Sequence, residues 1–381
     1  MQELPVYLDH NATTPISSSV LEAMLPYLRE AFGNPSSGHV YGARARAAVD
    51  TARQRVAALL GCDADELVFT SGGTEANNLA IRGVMERAGA RRRLVTSVVE
   101  HPATERPCAW LERRGFSVER VPVDAGGRLD LELTARAIDA STALVSVMHS
   151  NNETGVLQPV AEVATLARAQ RSLVHVDAAQ SIGKVAVRVR ELGVDLLSIA
   201  GHKLYAPKGV GALYVRRGVQ LEPLVLGASH ERGLRPGTEN VASIVGLGAA
   251  CELALADLES EAERVRGLRD ALFERLAREI PNLAVNGVAS PRLPNTLSVR
   301  FPRVSGAAVL AGAPEVAAST GSACHEGHES ASAVILAMGV PAADALGTVR
   351  LTLGRATTEP DVERAAAALI RAYRAAPSIR A

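Results

Sequence analysis

Two ionisable residues follow apolar, strand-like runs, where a charged group is costly unless it has a chemical task. Lys203 comes after the run DLLSIA and a histidine, a setting that desolvates an ε-amine and lowers its pKa. Asp177 closes the apolar run LVHV, where an unpaired carboxylate needs a buried cationic partner. A lysine of this kind can form a Schiff base, and such a carboxylate can keep a ring nitrogen protonated. A lysine after a strand is also typical of an ordinary protein surface, so the wider pattern must decide.

A third feature suits a phosphate group. The segment SGGTE at 71–75 lies between an apolar run and a helical pattern. The free N–H groups and the dipole at a helix N-terminus attract anions. The same segment could merely cap its helix, because Ser or Thr before an acidic residue is a common cap. Amine, carboxylate and anion site together are what a covalently bound, phosphate-bearing cofactor requires.

Cys324 differs from the other cysteines in its surroundings. It lies in the small, polar stretch STGSACHEGHE, which has no helical or strand periodicity. Catalytic groups concentrate on such loops, and His325 and His328 would favour the nucleophilic thiolate. These two histidines could also be read as a metal pair, but a third ligand is not evident nearby, so we expect no metal site.

The elements that must position these residues are strands and helices in alternation. From about Leu59 to Val215, apolar runs such as LVFTSG, LVTSVVEH, ALVSVMHS and DLLSIAGHK alternate with helical segments. This predicts an α/β fold with a mostly parallel sheet covered by helices on both faces. Ligands of such sheets bind beyond the carboxyl ends of the strands. Polar clusters stand at five of these ends, and we expect them to meet in one crevice: 71–74, 100–101, 151–153, 177–180 and 202–203.

The rest of the chain is organised differently. A long helical pattern runs from Glu239 to about Glu279, and strands then mix with helices in an α+β arrangement. We predict an N-terminal segment, 1–15, that packs on a small domain, a large cofactor-binding domain, 16–255, and a small C-terminal domain, 256–381, that carries Cys324. A length of 381 residues suits one large and one smaller domain.

The composition excludes several classes of protein. Apolar residues make up 47% and charged residues 22% of the chain, which excludes a disordered or collagen-like protein. The 41 basic and 41 acidic residues cancel, so nothing indicates nucleic acid or a membrane as the main partner. No run approaches the ~18 apolar residues of a membrane span, and the first residues do not resemble a secretory signal. The four cysteines show no CxxC spacing, which favours a reduced, cytoplasmic protein.

The order and spacing of the segments resemble a known family. The matching segments run from Leu8 to Arg355: LDHNATTP, FGNPSS, FTSGGTEANNLAI, EH, NNETG, HVDAAQSIGK, GHKLYAPKGVGALYVR, RPGTEN, STGSAC and VRLTLGR. They are similar to the fold-type I pyridoxal-phosphate enzymes of aminotransferase class V, and within them to the NifS-like cysteine desulfurases. The resemblance implies a large domain with a mostly parallel seven-stranded sheet, a smaller α+β domain, and pyridoxal 5'-phosphate as cofactor.

The same resemblance implies roles for single residues. Lys203 would bind the cofactor covalently and move the Cα proton of the substrate. His101 would stack on the cofactor ring, Asp177 would keep its nitrogen protonated, and Gln180 would donate to its phenolic oxygen. The remaining cofactor-binding residues are Gly73, Thr74 and His202 at the phosphate, Asn152 beside the ring, and Thr238, which would reach the phosphate of a neighbouring subunit. The protein is therefore expected to be a homodimer with its active sites at the interface.

The implied substrate is L-cysteine. Arg350 would bind its carboxylate bidentately, assisted by Asn34 and Asn152. Two plainer interpretations stay open, because Arg350 could be a strand arginine at the surface and Asn34 could build an Asn-Pro turn. Cys324 would attack the substrate sulfur, leaving alanine and a persulfide. A persulfide-accepting protein would follow, such as an iron–sulfur scaffold or a thiolation enzyme, so nucleic acid would be involved only indirectly.

Two departures from the family pattern raise an alternative. The chain has Ala200 where NifS-like enzymes usually place a serine near the phosphate, and HEGHES follows the expected nucleophile. The apolar residue at 200, the GSACH continuation and the segments RPGTEN, NNETG and GGTE also resemble selenocysteine lyase, which releases alanine and selenium on the same scaffold. A non-catalytic scaffold protein has no chemical need for Lys203, Asp177, His101 and Cys324 together. A transaminase would not require a cysteine on a loop.

Overall fold

The computed structural model describes residues 4–321 and 330–379. Cys324, His325 and His328 therefore lie outside the described residues. The strands are β1 (Val6–Tyr7), β2 (Leu67–Thr70), β3 (Arg93–Ser97), β4 (Ser117–Val121), β5 (Thr142–Met148), β6 (Leu173–Asp177), β7 (Leu196–Ala200), β8 (Gly211–Val215), β9 (Ala284–Val285), β10 (Thr296–Arg300), β11 (Val316–Ala317) and β12 (Thr348–Thr352). The helices are α1 (Ser18–Arg29), α2 (Val40–Leu60), α3 (Gly73–Arg87), α4 (Pro102–Glu112), α5 (Leu131–Ala137), α6 (Val160–Ala169), α7 (Val189–Leu192), α8 (Val241–Glu279), α9 (Gly306–Ala311), α10 (Ala333–Ala337), α11 (Ala342–Ala345) and α12 (Glu359–Ala375).

The predicted seven-stranded sheet is confirmed, and it is mostly parallel. Its strand order is β2-β8-β7-β6-β5-β3-β4, and only β8 runs against its neighbours. Every residue of β5 and of β7 is buried, as expected for strands with helices on both faces. The carboxyl ends of β2, β3, β5, β6 and β7 consequently lie along one edge. The five polar clusters read from the sequence follow these five strands.

A second, smaller sheet lies in the C-terminal part of the chain. It has the antiparallel order β12-β10-β9, and its apolar face belongs to a core that includes residues of α9 and α12. The N-terminal segment joins this core, because β1 pairs with β11 and Leu8 is fully buried there. The predicted domain boundary at 255–256 falls within α8. Along that helix the residues up to Ala254 pack in the large core, and those from Val265 onward pack in the small one.

Helix α8 is 39 residues long and holds the large and small cores together. By length and hydropathy alone it could cross a membrane, but 61% of its most apolar stretch is buried inside the molecule, as in the core helix of a globular protein. Its first half packs closely on α2. A methyl group added at Gly248 would lie 2.6 Å from Cα and 2.8 Å from Cβ of Ala52. The absence of a side chain at Gly248 therefore sets the distance between the two helices.

A matched pair of glycines on α8 tests this contact. Gly267 lies on the same helix and has no atom within 4 Å of the place where its Cβ would be. Helix propensity favours alanine over glycine by ~1 kcal/mol at both sites, whereas overpacking at Gly248 costs ~1–3 kcal/mol. We expect Gly267→Ala to stabilise the protein and Gly248→Ala to destabilise it relative to that control, as measured by urea unfolding. Equal stability of the two variants would contradict the close approach of α2 and α8.

Candidate active site

A cavity of about 310 Å³ opens at the carboxyl edge of the large sheet. It is lined by residues from all five polar clusters together with one residue of the N-terminal segment: Ala12, Gly73, Thr74, Asn77, His101, Ala103, Met148, Ser150, Asn152, Asp177, Ala179, Gln180, Ala200, His202 and Lys203. Eight residues predicted to bind the cofactor are among them. The convergence expected from the strand pattern is therefore present in the fold.

Lys203 stands in a short 3₁₀ turn, Gly201–Lys203, directly after β7. Its Nζ donates to the carbonyl oxygens of Asn11, at 2.5 Å, and Ala12, at 2.8 Å. Burial lowers the pKa of this amine to about 8, with help from the positive charge of Arg350 and against the pull of Asp177 and Asp9. A substantial neutral fraction at neutral to mildly basic pH is what an amine nucleophile needs.

Asp177 ends β6 at the floor of the cavity and is 8% exposed. One carboxylate oxygen accepts from Asn77 Nδ2 at 2.7 Å, and the other accepts from the backbone N–H of Ala179 at 2.9 Å. Asn77 is itself fully buried on α3 and also donates to Thr104. These two donors aim the carboxylate while leaving it able to accept a further hydrogen bond from a protonated ring nitrogen.

The N-terminus of α3 is the predicted anion site. Gly72 precedes the helix with φ 147°, a left-handed value that favours glycine, and Gly73 and Thr74 then begin the first turn at the cavity. The backbone N–H groups of this turn have no partner within the helix, as at any helix start. Ala200 closes the site from β7, and a Cβ on Gly73 would lie 3.2 Å from the Ala200 methyl.

Two histidines flank the cavity. His101 is the N-cap of α4, where its Nδ1 accepts from the N–H of Ala103 at 3.1 Å, so the neutral ring carries its proton on Nε2. Desolvation lowers the pKa of His101, and the charge of Lys203 adds to this effect while Asp177 opposes it. A neutral ring is the form suited to stacking on an aromatic cofactor. Burial, with Lys203 and Lys208, lowers the pKa of His202 to about 4.

Arg350 is buried beside the cavity without lining it. Its Nη2 donates to Asp9 at 2.7 Å and its Nη1 to the carbonyl oxygen of Asn152 at 3.0 Å. Its Nε makes no hydrogen bond within the described part of the chain. The plainer interpretation of a surface arginine on a strand is thus wrong, because the side chain is 6% exposed.

Asn34 and Thr238 do not reach the cavity within one chain. Both are exposed, and the Oδ1 of Asn34 accepts from the N–H of Ser36 in a turn. The role predicted for Thr238 concerns a neighbouring subunit and that predicted for Asn34 concerns the substrate carboxylate, and both stay predictions. Cys324 lies outside the described residues, but the stretches on either side of 322–329 meet at Glu153, which accepts from Ser332 and contacts Gly321.

The other three cysteines are unsuited to nucleophilic chemistry. Cys108 and Cys251 are fully buried, and burial raises their pKa far above the ordinary range. Burial also raises the pKa of Cys62 to about 12. In the part of the chain that the structure describes, no group of three His, Cys, Asp or Glu side chains is placed to hold a metal ion.

Sequence reasoning missed three residues of the site. Asn11 accepts the Lys203 amine on its carbonyl oxygen, Asn77 orients Asp177, and Lys184 contacts both Asn11 and Gln180. Asn77 could have been found as a polar residue one helical turn after Gly73. Asn11 and Lys184 give no such signal, because their partners are distant in sequence.

The residues present fit pyridoxal phosphate. The cavity offers a desolvated amine, a carboxylate held by two donors and an anion site at a helix start, which are the three anchor points this cofactor needs. A family model described as "Aminotransferase class-V" matches residues 6–365 of the chain. The chain belongs to the class V aminotransferase family. As a member of it, the protein is a pyridoxal-phosphate-dependent enzyme.

Relatives within the class V family are also known by sequence and by structure. A cysteine desulfurase of Gluconacetobacter diazotrophicus is 48% identical over 94% of this chain and 91% of its own length. The cysteine desulfurase NifS of Azotobacter vinelandii is 46% identical over 94% and 90%. A solved structure described as a NifS-like protein superposes with a TM-score of 0.90 at 37% identity, covering 97% of this chain and 99% of its own. The class V fold expected from the sequence is confirmed.

The pKa of Lys203 predicts how this class V enzyme takes up its cofactor. The neutral amine reacts with the cofactor aldehyde, so the rate of covalent uptake by apoprotein should rise with pH up to about 8 and level off above it. The measurement is the rate of absorbance change after pyridoxal phosphate is added, with Lys203→Arg as the control that forms no adduct. A rate that rises steadily to about pH 10 would show an ordinary lysine instead.

Proposed function

We propose that this protein is a cysteine desulfurase. It converts L-cysteine to L-alanine and places the sulfur on Cys324 as a persulfide, which then passes to an acceptor. The observation that carries the proposal is that relatives named cysteine desulfurase align along 94% of this chain, and that the chain keeps a complete cofactor site. The reaction balances: the substrate C–S bond breaks, an S–S bond forms at Cys324, and the carbon that loses sulfur gains a proton.

The residues of the site suggest which side chain moves the proton and which binds the substrate. Pyridoxal phosphate, when bound, withdraws electron density from the substrate Cα and makes its proton acidic. Lys203, with its lowered pKa, is the base that moves this proton. Arg350 is the residue for the substrate carboxylate. Because Asp9 and the carbonyl of Asn152 already occupy its two terminal nitrogens, the carboxylate must replace at least one of them for a bidentate contact.

The selenocysteine lyase alternative is not favoured. Ala200 and the segment after Cys324 suggested it, but the relatives that match most of the chain are named cysteine desulfurases. Ala200 packs beside Gly73 at the anion site, so it bears on the phosphate rather than on the chalcogen atom. Comparable turnover of cysteine and selenocysteine would fit the desulfurase, whereas a lyase would leave cysteine almost untouched.

The role of Cys324 can be tested directly. Incubation with L-cysteine should add one sulfur atom to the Cys324 peptide, as seen by mass spectrometry, and release alanine. We expect Cys324→Ser to lose persulfide and most sulfide release, because serine cannot attack sulfur to form an S–S bond. Cys62→Ser serves as the matched control and should retain both. If Cys324→Ser still released sulfide from cysteine at the full rate, the assignment would be wrong.

We further propose that the enzyme is a homodimer. Five large apolar side chains are more than half exposed on two neighbouring stretches of chain, the loop before α2 with the start of that helix and the loop after β8: Phe32, Val40, Tyr41, Val225 and Leu226. The loops are joined by a hydrogen bond between Ser36 and His230 at 3.1 Å. Exposed apolar surface of this kind marks an interface. The exposed Asn34 and Thr238 belong to the same two stretches of chain, which suits roles in the active site of the other subunit.

The dimer proposal predicts a mass of twice 39.9 kDa in solution. The double variant Phe32→Glu, Leu226→Glu should shift sedimentation to the single-chain mass, because each subunit would have to bury two unpaired carboxylates in the interface. Its pyridoxal phosphate affinity should also fall, since Thr238 could no longer reach a second phosphate. Leu4→Glu is the control, as Leu4 is 83% exposed on a different part of the molecule. A wild-type protein that sediments as one chain would refute the proposal.

The acceptor of the sulfur is proposed only by class. It is a protein that takes a persulfide, either an iron–sulfur scaffold or a thiolation enzyme. A reducing compartment suits a reactive thiolate, so we place the enzyme in the cytoplasm within this proposal.

A further inference from the structure

The chain uses lysine very sparingly. Of its 41 basic residues only three are lysines, namely Lys184, Lys203 and Lys208, and all the others are arginines. Where a surface charge is sufficient, this sequence supplies arginine. A lysine that this chain keeps away from the exposed surface therefore indicates a place that requires a compact ammonium or amine rather than a planar guanidinium. Lys203 has such a reason in the cofactor site, and Lys208 is exposed. Lys184 needs its own explanation.

Lys184 lies behind the wall of the active-site cavity. Its Nζ donates to Gln180 Oε1 and to Asn11 Oδ1, both at 3.0 Å. Gln180 lines the active-site cavity, whereas Lys184 lines a separate space of about 30 Å³ on the far side, which Lys203 also borders. Lys184 therefore has no access to the cofactor cavity, but it touches a residue that does.

The contact with Lys184 decides which way the Gln180 amide faces. An amide has one accepting and one donating end, and a lysine ammonium only donates. With Oε1 turned to Lys184, the Nε2 of Gln180 is the end that faces Asn11, donating to its carbonyl oxygen at 2.9 Å. The reversed amide would place two acceptors against each other at Asn11 and two donors against each other at Lys184.

Asn11 accepts hydrogen bonds from both Lys184 and Lys203. Its side-chain oxygen accepts from Lys184 and from Asn295 Nδ2, at 3.1 Å, and its carbonyl oxygen accepts from Lys203. The two amines thus share one residue. Burial lowers the pKa of Lys184 well below its ordinary value, and the charges of Lys203 and Arg350 lower it further. The ammonium form can only donate, and a neutral amine would still have two N–H groups, one for each of its two acceptors.

We propose that Lys184 is a positioning residue that holds the accepting Oε1 of Gln180 behind the cavity wall, so that the donating Nε2 is the end of the amide left for the cofactor. The inference rests on the proposed function solely through the position of Gln180 beside the phenolic oxygen of pyridoxal phosphate. A donor at that oxygen stabilises its anionic form. Lys184 therefore sets, through Gln180, the pH at which the bound cofactor loses its proton.

The test is a pH titration of the cofactor absorbance of the holoenzyme, which needs no turnover. Lys184→Met and Gln180→Met should each raise the midpoint by about one unit, the size of one lost hydrogen bond. The double variant should show no further rise, because both changes remove the same donor. Lys208→Met, the same substitution at an exposed lysine, should leave the midpoint where it is.

Two results would overturn the inference. One is an unshifted midpoint in a folded Lys184→Met holoenzyme, with folding checked by thermal denaturation. The other is an additive shift in the double variant, which would mean that Lys184 acts by its charge alone. If Lys184→Met does not fold, Lys184→Gln is judged by the same comparison. A wild-type holoenzyme that does not turn over cysteine, but whose cofactor titrates and responds to the variants as expected, would instead count against the proposed function and leave this inference standing.

Discussion

The active site depends on holding three basic side chains close together inside the protein. The charges of Lys203 and Arg350 lower the pKa of Lys184, and Arg350 also lowers the pKa of Lys203, where Asp177 and Asp9 oppose the effect. Water cannot solvate these groups fully, so their repulsion has to be balanced by oriented oxygen atoms. The N-terminal segment supplies most of these oxygens. The carbonyls of Asn11 and Ala12, the Asn11 side chain and the Asp9 carboxylate all accept from this cluster.

This constraint explains why so short a segment is bound so firmly. β1 pairs with β11, the backbone of His10 and Asn11 is tied to Thr352, and Asn11 also donates to Thr296. These partners lie in the small domain core, whereas the lysines that the segment serves follow strands of the large sheet. Residues 6–12 therefore connect the two cores beside the Lys203 amine. Helix α8 connects them a second time, away from the site.

The sequence predicted best what depends on local pattern. Strand runs rich in Val, Ile and Leu fix where each strand ends, and the parallel order then brings Gly73, His101, Asp177 and Lys203 to one edge. The sequence did not predict contacts between residues that are far apart in the chain. Lys203 and Asn11 are 192 residues apart, and Lys184 and Asn11 are 173 apart, so no periodicity connects them. Asn34 and Thr238 show another limit, because both are exposed and away from the cavity within one chain, so their predicted roles stay predictions.

The alanine at position 200 bears on how the phosphate is held. A serine there would offer a hydroxyl, but Ala200 presents a methyl group to the start of α3, close to Gly73. Ser71 does not replace that hydroxyl, because it does not line the cavity, and both its backbone N–H, at 2.7 Å, and its side chain bond to Glu75. The anion site must then rely on backbone N–H groups and the helix dipole, with Thr74 and His202 at its rim. Backbone donors are positioned by the fold itself, which lets one side-chain hydroxyl be absent without loss of the anion site.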